Sequence, residues 1–301
     1  MKFRYKVKRI DFQKIPFNLV KLLEEVVIRK ELNENDFFIT NLVSDFENEK
    51  ISKFFGKKRY AILNQNLLVF PKLFKGRCFN LNVNWTCDCI QKGIHLWRMT
   101  QFKNFVFLGY NKVSEQMNAY YKKVGILGEY EKVYPFDKEK HGTNFAEAVI
   151  MLEISKNEKE FVLLDSVSFN IPSAANFDGE FFEEIMKPMI DKWQPDFIKS
   201  HGTGTQQNDE SEARVYSKYD IPVIALKWKF NHLGKCTFIE DLYLYERFMN
   251  REKVEGYKNE NVILDNLVKE DFSFDKDTVR ILSFSAGFGG SYTILVYELN
   301  R

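Results

Sequence analysis

The sequence predicts an α/β fold in a single structural unit, on three observations. Short apolar runs alternate with stretches of helical period along all 301 residues. The second half repeats the alternation of the first. No stretch rich in Pro, Gly or Ser separates independent domains, and no segment is of low complexity.

The elements follow in order. Leu19, Leu22, Leu23, Val26 and Val27 fall at helical spacing just after Pro16, which predicts an amphipathic helix. Phe37-Phe38-Ile39 predicts a buried strand, and Asn80 to Trp85 a second. A helix with Ile90, Ile94 and Trp97 on one face comes next, then a strand over Phe105-Val106-Phe107-Leu108 ending at Gly109. Val149 to Ile154 and Phe161 to Val167 predict an antiparallel pair joined by the polar turn Ser155-Lys156-Asn157-Glu158. Phe182, Ile185, Met186, Met189, Ile190 and Trp193 make a helical stripe that Pro188 should kink or end. Phe197-Ile198 is a short strand running into His201, and Ile221 to Leu226 is another. Phe238, Ile239, Leu242 and Tyr245 share one helix face. The charged stretch from Arg251 to Asp277 has little apolar period and predicts a long surface loop. Two last strands, Val279 to Phe284 and Tyr292 to Leu299, flank a glycine-rich turn.

Composition excludes several classes. Lys and Arg number 44 against 42 Asp and Glu, a net charge of +2 with both signs mixed, which argues against a dedicated nucleic-acid binder. No apolar run approaches the roughly 20 residues that span a bilayer, so no membrane helix is expected. The basic start, Met1 to Lys8, is not followed by the apolar core of a signal peptide. Four cysteines are too few for a disulfide scaffold, so the expected compartment is a reducing cytoplasm.

Four constellations offer chemistry. Ser200-His201-Gly202-Thr203-Gly204-Thr205 follows a strand directly, where α/β sheets place ligands, and its glycines let the backbone approach one closely. Read alone it is equally a turn with a satisfied histidine. Lys227-Trp228-Lys229-Phe230-Asn231-His232 again follows a strand, with a solvated basic turn as the alternative. Gly287-Phe288-Gly289-Gly290 lies between the last two strands and reads equally as a hairpin loop. Cys87 and Cys89 open the Ile90/Ile94/Trp97 helix, where the positive end of the helix dipole favours a thiolate, with a buried, inert thiol as the alternative. Their spacing is wrong for a Cys-x-x-Cys site and no second pair matches it, so metal is not expected. Cys78 and Cys236 have no such context. One thiol, two histidines and a lysine make a covalent-catalysis set, provided that the loops converge.

The order of these motifs resembles the β-ketoacyl synthases, the condensing enzymes of fatty-acid and polyketide assembly, within the thiolase superfamily. His201-Gly202-Thr203-Gly204-Thr205, Asn208-Asp209 with Glu212-Ala213, Lys227, His232 and Gly287-Phe288-Gly289-Gly290 stand as in the C-terminal half of that family. Pro135-Phe136-Asp137-Lys138 with Gly142 and Glu147, Asp178-Gly179, and Val83-Asn84-Trp85-Thr86-Cys87 extend the likeness over approximately Asn80 to Glu298.

The resemblance implies the thiolase fold, five αβαβα layers from two βαβαβ halves related by a pseudo-twofold axis. Residues 1–170 would form the half with the nucleophile and 171–301 the half with the His, Lys and His motifs. It implies that Cys87, not Cys89, takes the acyl group from a carrier thioester, with the amides of Cys87 and Phe288 as oxyanion hole. His201 and His232 would stabilise the enolate left by decarboxylation of a malonyl thioester. Lys227 would hold this cluster, paired with Glu212. Thr203 and Thr205 would grip a phosphopantetheine arm that arrives on the carrier protein or coenzyme A, with no cofactor of the chain's own. Phe288, between Gly287 and Gly289, would gate the acyl pocket. The partners implied are an acyl carrier protein, for which Lys72, Lys75 and Arg77 are a candidate patch, and a second copy in a homodimer. A heterodimer with a ketosynthase-like subunit is the alternative.

The chain departs from the pattern in several places. It is shorter before Cys87 than the family's usual module. Trp85 and Thr86 replace small neighbours of the nucleophile, and Asp88 puts a carboxylate beside the thiol, which should raise its pKa. Asn231 replaces a glycine, His232-Leu233-Gly234 is a shortened turn, and Ala146 and Ala148 flank Glu147. The expected activity is decarboxylative condensation in a specialised pathway. A non-condensing acyltransferase using Cys87 and a non-catalytic partner subunit resembling a chain-length factor are the alternatives.

Overall fold

The computed structural model describes residues 2–9, 25, 36–40, 87–111, 115–156, 159–170, 179–287 and 290–301. Of the helix expected over Leu19 to Val27 only Glu25 is described, and the strand expected from Asn80 to Trp85 lies outside the described residues.

The first sheet holds β1 (Lys2–Arg9), β2 (Asp36–Thr40), β3 (Asn104–Asn111) and β4 (Ala148–Ser155), in the order β1-β4-β3-β2. β4 runs antiparallel to both neighbours, with Ile154 opposite Phe3 on one side and Phe105 on the other. β2 lies parallel to β3, Phe37 opposite Phe105. Between β2 and β3 in the chain comes α1 (Cys89–Arg98), and between β3 and β4 comes α2 (Glu115–Lys123).

The second sheet holds β5 (Phe161–Asn170), β6 (Phe197–Lys199), β7 (Val223–Ile224), β8 (Thr278–Gly287) and β9 (Ser291–Asn300), in the order β5-β9-β8-β6-β7. It repeats the first sheet's pattern. In both, the first strand pairs antiparallel with the last, the last with the strand before it, and that strand runs parallel to an earlier one.

The antiparallel pair expected from Val149 to Val167 does not form. β4 has β1 on one edge and β3 on the other, so no edge is left for β5, which pairs with β9 instead. Burial along nearly the whole of β4 marks a central strand, whereas β5 alternates as an edge strand does. The polar turn therefore carries the chain from one sheet to the other. β5 belongs to the second sheet, although the sequence places it in the first half.

Apolar side chains of both sheets meet around α1, whose Ile90, Ile94 and Trp97 are fully buried. α1 touches β3 on one side and β5 and β9 on the other. β9 feeds two cores by simple alternation: Leu295, Tyr297 and Leu299 join this cluster, while Tyr292, Ile294 and Val296 join a second. That second core lies under α3 (Gly179–Trp193) and α4 (Gln206–Tyr216), and includes Phe182, Met186, Ile190 and Tyr216. α3 runs on through Pro188 to Trp193, so the proline does not end the helix. The stretch Arg251 to Asp277 is irregular but is no mere surface loop. Val254, Tyr257, Val262, Leu264, Leu267 and Phe274 are buried, and single bridges tie Val254 to Phe272 and Val223 to Leu267. Apolar residues without a period fill gaps between elements as well as periodic ones do.

This topology sets the position of the site. β6, β7 and β8 run parallel, so His201 after β6, Lys227 after β7 and the turn after β8 emerge along one sheet edge. Among the described residues no helix is long and apolar enough to cross a membrane.

Trp97→Ala tests the central place of α1. The indole is fully buried and its Nε1–H donates to the Phe102 carbonyl at 3.0 Å. Urea denaturation should show a loss of about 3–5 kcal/mol. Met99→Ala, two residues on and 67% exposed, should change stability by less than about 0.5 kcal/mol.

Candidate active site

The loop after β6 is built by two buried carboxylates. Asp209 and Glu212, three residues apart on α4, face the loop that precedes their own helix. Glu212 accepts from the amides of His201 at 2.9 Å and Gly202 at 2.8 Å, and from Asn208 and the Tyr216 hydroxyl. Asp209 accepts from the amides of Thr203, Gly204 and Phe136. Burial pushes both carboxyls up, Asp209 to about 7 with the Glu212 charge adding to the rise. Gly204, at φ +77°, approaches the Gly142 backbone so closely that a Cβ would lie 2.7 Å from its carbonyl oxygen. Glu212 is thus the anchor of the His201 loop and not the partner of Lys227.

After β7 the chain turns into the short helix α5 (Lys227–Phe230) and then reaches His232 through Asn231, whose φ and ψ are 56° and −175°. Glycine is the residue that adopts such angles freely. Here the asparagine side chain compensates: its Oδ1 accepts from the Val133 amide and its Nδ2 donates to the Glu131 carbonyl, both at 3.1 Å. His232 is held by a backbone ladder, its amide to Asn144 and its carbonyl to the Ala146 amide. Its ring rests on Phe145, centroids 5.0 Å apart, and Phe145 stacks in turn on Tyr121 of α2.

Cys87, His201, His232 and Lys227 converge and are all buried. Cys87 Sγ lies 3.3 Å from His232 Nε2, and the two imidazole rings stand at 88° with centroids 5.6 Å apart. The Gly234 amide donates to His232 Nδ1 at 2.9 Å. Lys227 Nζ lies 3.5 Å from His201 Nδ1 and donates to the His201 carbonyl. Each Nδ1 is therefore an acceptor, which leaves the proton of each neutral ring on Nε2. Burial, with Lys227 nearby, keeps both histidines well below their usual range and so uncharged.

The Lys227 ammonium has its carboxylate in Glu240, at 3.2 Å, on α6 (Ile239–Met249). Glu240 also faces Lys199 at 3.0 Å, and Lys199 lies 3.7 Å from Asp241, which accepts from Tyr297. Burial lowers the Lys227 pKa while Glu240 opposes the fall. Burial pushes the Cys87 thiol up to about 12, Lys227 pulls it down, and Asp88 adds to the rise as the sequence implies.

The sulfur and ring nitrogens of Cys87, His201 and His232 lie within 4.8 Å of one another, a set that could in principle ligate a metal. With both Nδ1 atoms engaged by donors, the rings offer N–H groups to its centre and not lone pairs. The arrangement suits a thiol acting beside developing negative oxygen.

Cys89 and Cys236 lie in the apolar core. Thr203 and Thr205 share a hydroxyl–hydroxyl bond of 2.7 Å at the start of α4, and Gly287 ends β8. Phe288, Gly289, Cys78, Asp178, Lys72, Lys75 and Arg77 lie outside the described residues. Sequence reasoning missed Glu240, Lys199, Asp241 and the Tyr121–Phe145 stack. A signal existed for the first three: Glu240 and Asp241 lie inside the apolar run Phe238 to Leu242, and Lys199 directly follows Phe197-Ile198.

No protein-family profile matches the chain, and no curated protein does. Solved structures do. The ketosynthase from module 6 of the bacillaene synthase of Bacillus subtilis 168 superposes with a TM-score of 0.70 at 12% identity, over 89% of this chain and 54% of that one. A ketosynthase in complex with its chain length factor from Xenorhabdus doucetiae gives 0.66 at 17%, over 88% and 75%. A type II polyketide synthase acyl-carrier protein in complex with its ketosynthase gives 0.61 at 17%, over 76% and 64%. The chain thus spans less than two thirds of the length of the first and the last of these. At such identities the likeness is one of architecture, and the chain has the mixed α/β, two-sheet fold of the ketosynthases.

Proposed function

We propose that the chain is a ketosynthase-like acyltransferase that loads an acyl group on Cys87 and condenses it with a malonyl thioester. The observation that carries this reading is the pair of buried, neutral imidazoles beside one thiol, each left with its proton on Nε2. The frame we infer for the whole chain is the thiolase arrangement of five layers in two pseudo-twofold halves, which the repeated strand pattern supports.

In loading, Cys87 Sγ attacks the thioester carbonyl, the amides of Cys87 and Phe288 hold the oxyanion, and the carrier sulfur leaves with the thiol proton. In condensation, the bond from the malonyl carbon to its carboxylate breaks and carbon dioxide departs. The electron pair moves onto the thioester oxygen, where the Nε2–H groups of His201 and His232 receive it. The carbon then attacks the acyl carbonyl and expels Cys87 as the thiolate, which takes up the one proton that the overall reaction consumes. Neutral imidazoles suit the task because they donate without bringing a buried charge. Lys227, tied to Glu240, holds the His201 tautomer.

The phosphopantetheine arm comes with the substrate, and Thr203 and Thr205 grip it. The partners we infer are an acyl carrier protein and a second ketosynthase-like subunit, either a copy of this chain or a chain-length-factor-like one, in the cytoplasm. A purely non-catalytic role fits poorly with a complete thiol, histidine and lysine set.

Intact-mass analysis with a panel of acyl-carrier thioesters should show one acyl group, mapped to Cys87, absent in Cys87→Ala and kept in Cys89→Ala. Malonyl-carrier should then release carbon dioxide. His232→Ala should lower that release about a hundred- to a thousand-fold while Cys87 still acylates. Ready acylation without carbon dioxide release from any malonyl thioester would replace condensation by simple acyl transfer.

The thiol's titration gives a second test. A thiol held at about 12 is neutral at pH 7 and ionises as pH rises. Iodoacetamide alkylation of Cys87 should therefore climb about tenfold per unit between about pH 7 and 9 without levelling. Lys227→Met removes the charge that eases ionisation and should slow alkylation throughout. A plateau below about pH 8 in the wild type would sink the buried neutral thiol.

A further inference from the structure

The residues that follow the nucleophile form a polar face on α1 that is buried against the second sheet. Asp88 and Gln91 are fully buried and Lys92 is 3% exposed. Asp88 Oδ2 accepts from the Ser291 and Thr293 hydroxyls, 2.7 Å each. Lys92 Nζ donates to Ser291 Oγ and to Asn170 Oδ1, the latter at 2.9 Å, and lies 3.7 Å from Asp88. Gln91 Nε2 donates to Ser285 Oγ at 3.2 Å. Ser285 precedes the β8–β9 turn, and Ser291 and Thr293 follow it.

We propose that Asp88, Gln91 and Lys92 are positioning residues that clamp both strands of the β8–β9 hairpin to the start of the helix that directly follows Cys87. The inference rests on the function proposed above. Burying a carboxylate, an ammonium and an amide at a helix–sheet contact is costly unless each is paired, and apolar side chains of similar volume would pack there at no such cost. What the polar set supplies is direction. A hydrophobic contact tolerates sliding, whereas four hydroxyl or amide bonds of fixed length do not. Two parts of the site depend on that register. Phe284, next to Ser285, sets its ring edge against His201, centroids 6.1 Å apart. The hairpin's turn is also where the second oxyanion donor is placed in our reading. Asp88 thus acts through the hairpin as well as through its charge on the thiol.

The test separates an oxyanion-dependent reaction from one that needs none. p-Nitrophenyl acetate acylates Cys87 through a tetrahedral oxyanion, whereas iodoacetamide alkylates the same sulfur by direct displacement. The triple variant Asp88→Leu, Gln91→Leu, Lys92→Val removes the whole set and leaves no unpaired charge. Its acylation rate should fall about a hundredfold, the cost of misplacement by about 1 Å, while its alkylation rate does not fall. Ser291→Ala with Thr293→Val, made from the sheet side, should reproduce the loss and add little when combined with the triple variant. Asp88→Asn, which keeps the acceptor, should recover most of the rate. Equal losses in both reactions, or no loss in either, would overturn the clamp and leave the proposed function standing. A wild type whose Cys87 is alkylated but never acylated would overturn the proposed function and the clamp with it.

Discussion

The site depends on one constraint: Lys227 must remain an ammonium-type donor although it is fully buried. The Glu240 carboxylate and the His201 carbonyl make that tolerable, and Glu240 is shared with Lys199, which leans in turn on Asp241. Two buried cations and two buried carboxylates thus balance beneath the imidazoles. An isolated buried charge would be lost to a shifted pKa, whereas a paired set retains donors of defined direction. The His201 tautomer follows from where that one nitrogen sits, and the Lys227 charge adds to burial in keeping the ring neutral and offsets part of the rise that burial imposes on Cys87. The fold supplies the convergence, by running β6, β7 and β8 in the same sense, and the ion cluster supplies the chemistry.

Legibility in the sequence followed the range of each interaction. Cys87, His201, Lys227 and His232 could be read because each stands in a local motif that follows a strand or leads into a helix. Glu240 could not be assigned as the partner of Lys227, because a charge inside an apolar run marks burial without naming a partner; only the packing of α6 against the site does. The error over β4 and β5 has the same root. Two adjacent apolar runs with a polar turn look like a hairpin, and only the claims of β1 and β3 on both edges of β4 exclude it. Asn231 is the converse case. The sequence marks it as a departure from glycine, and the structure shows that the backbone there still has a glycine's conformation, held by the asparagine's own side chain.

α1 has two faces with opposite tasks. Ile90, Ile94 and Trp97 provide the apolar mass around which both sheets close, and Asp88, Gln91 and Lys92 fix the helix's angular position. Trp97 could be exchanged for another large apolar residue with repacking. The polar face has fewer substitutes, since each bond names its partner.

The strand order also dictates when the site can assemble as the chain is made. The Cys87–His232 contact joins residues 145 apart, and the Asp88–Thr293 bond joins residues 205 apart. β5 stays unpaired until β9, more than 120 residues further on, has been made. A growing polypeptide therefore exposes an open, largely apolar sheet edge until β9 has emerged, and its loop-closure entropy is met late. Such a chain folds slowly, and it gains from a chaperone that shields β5 in the interval.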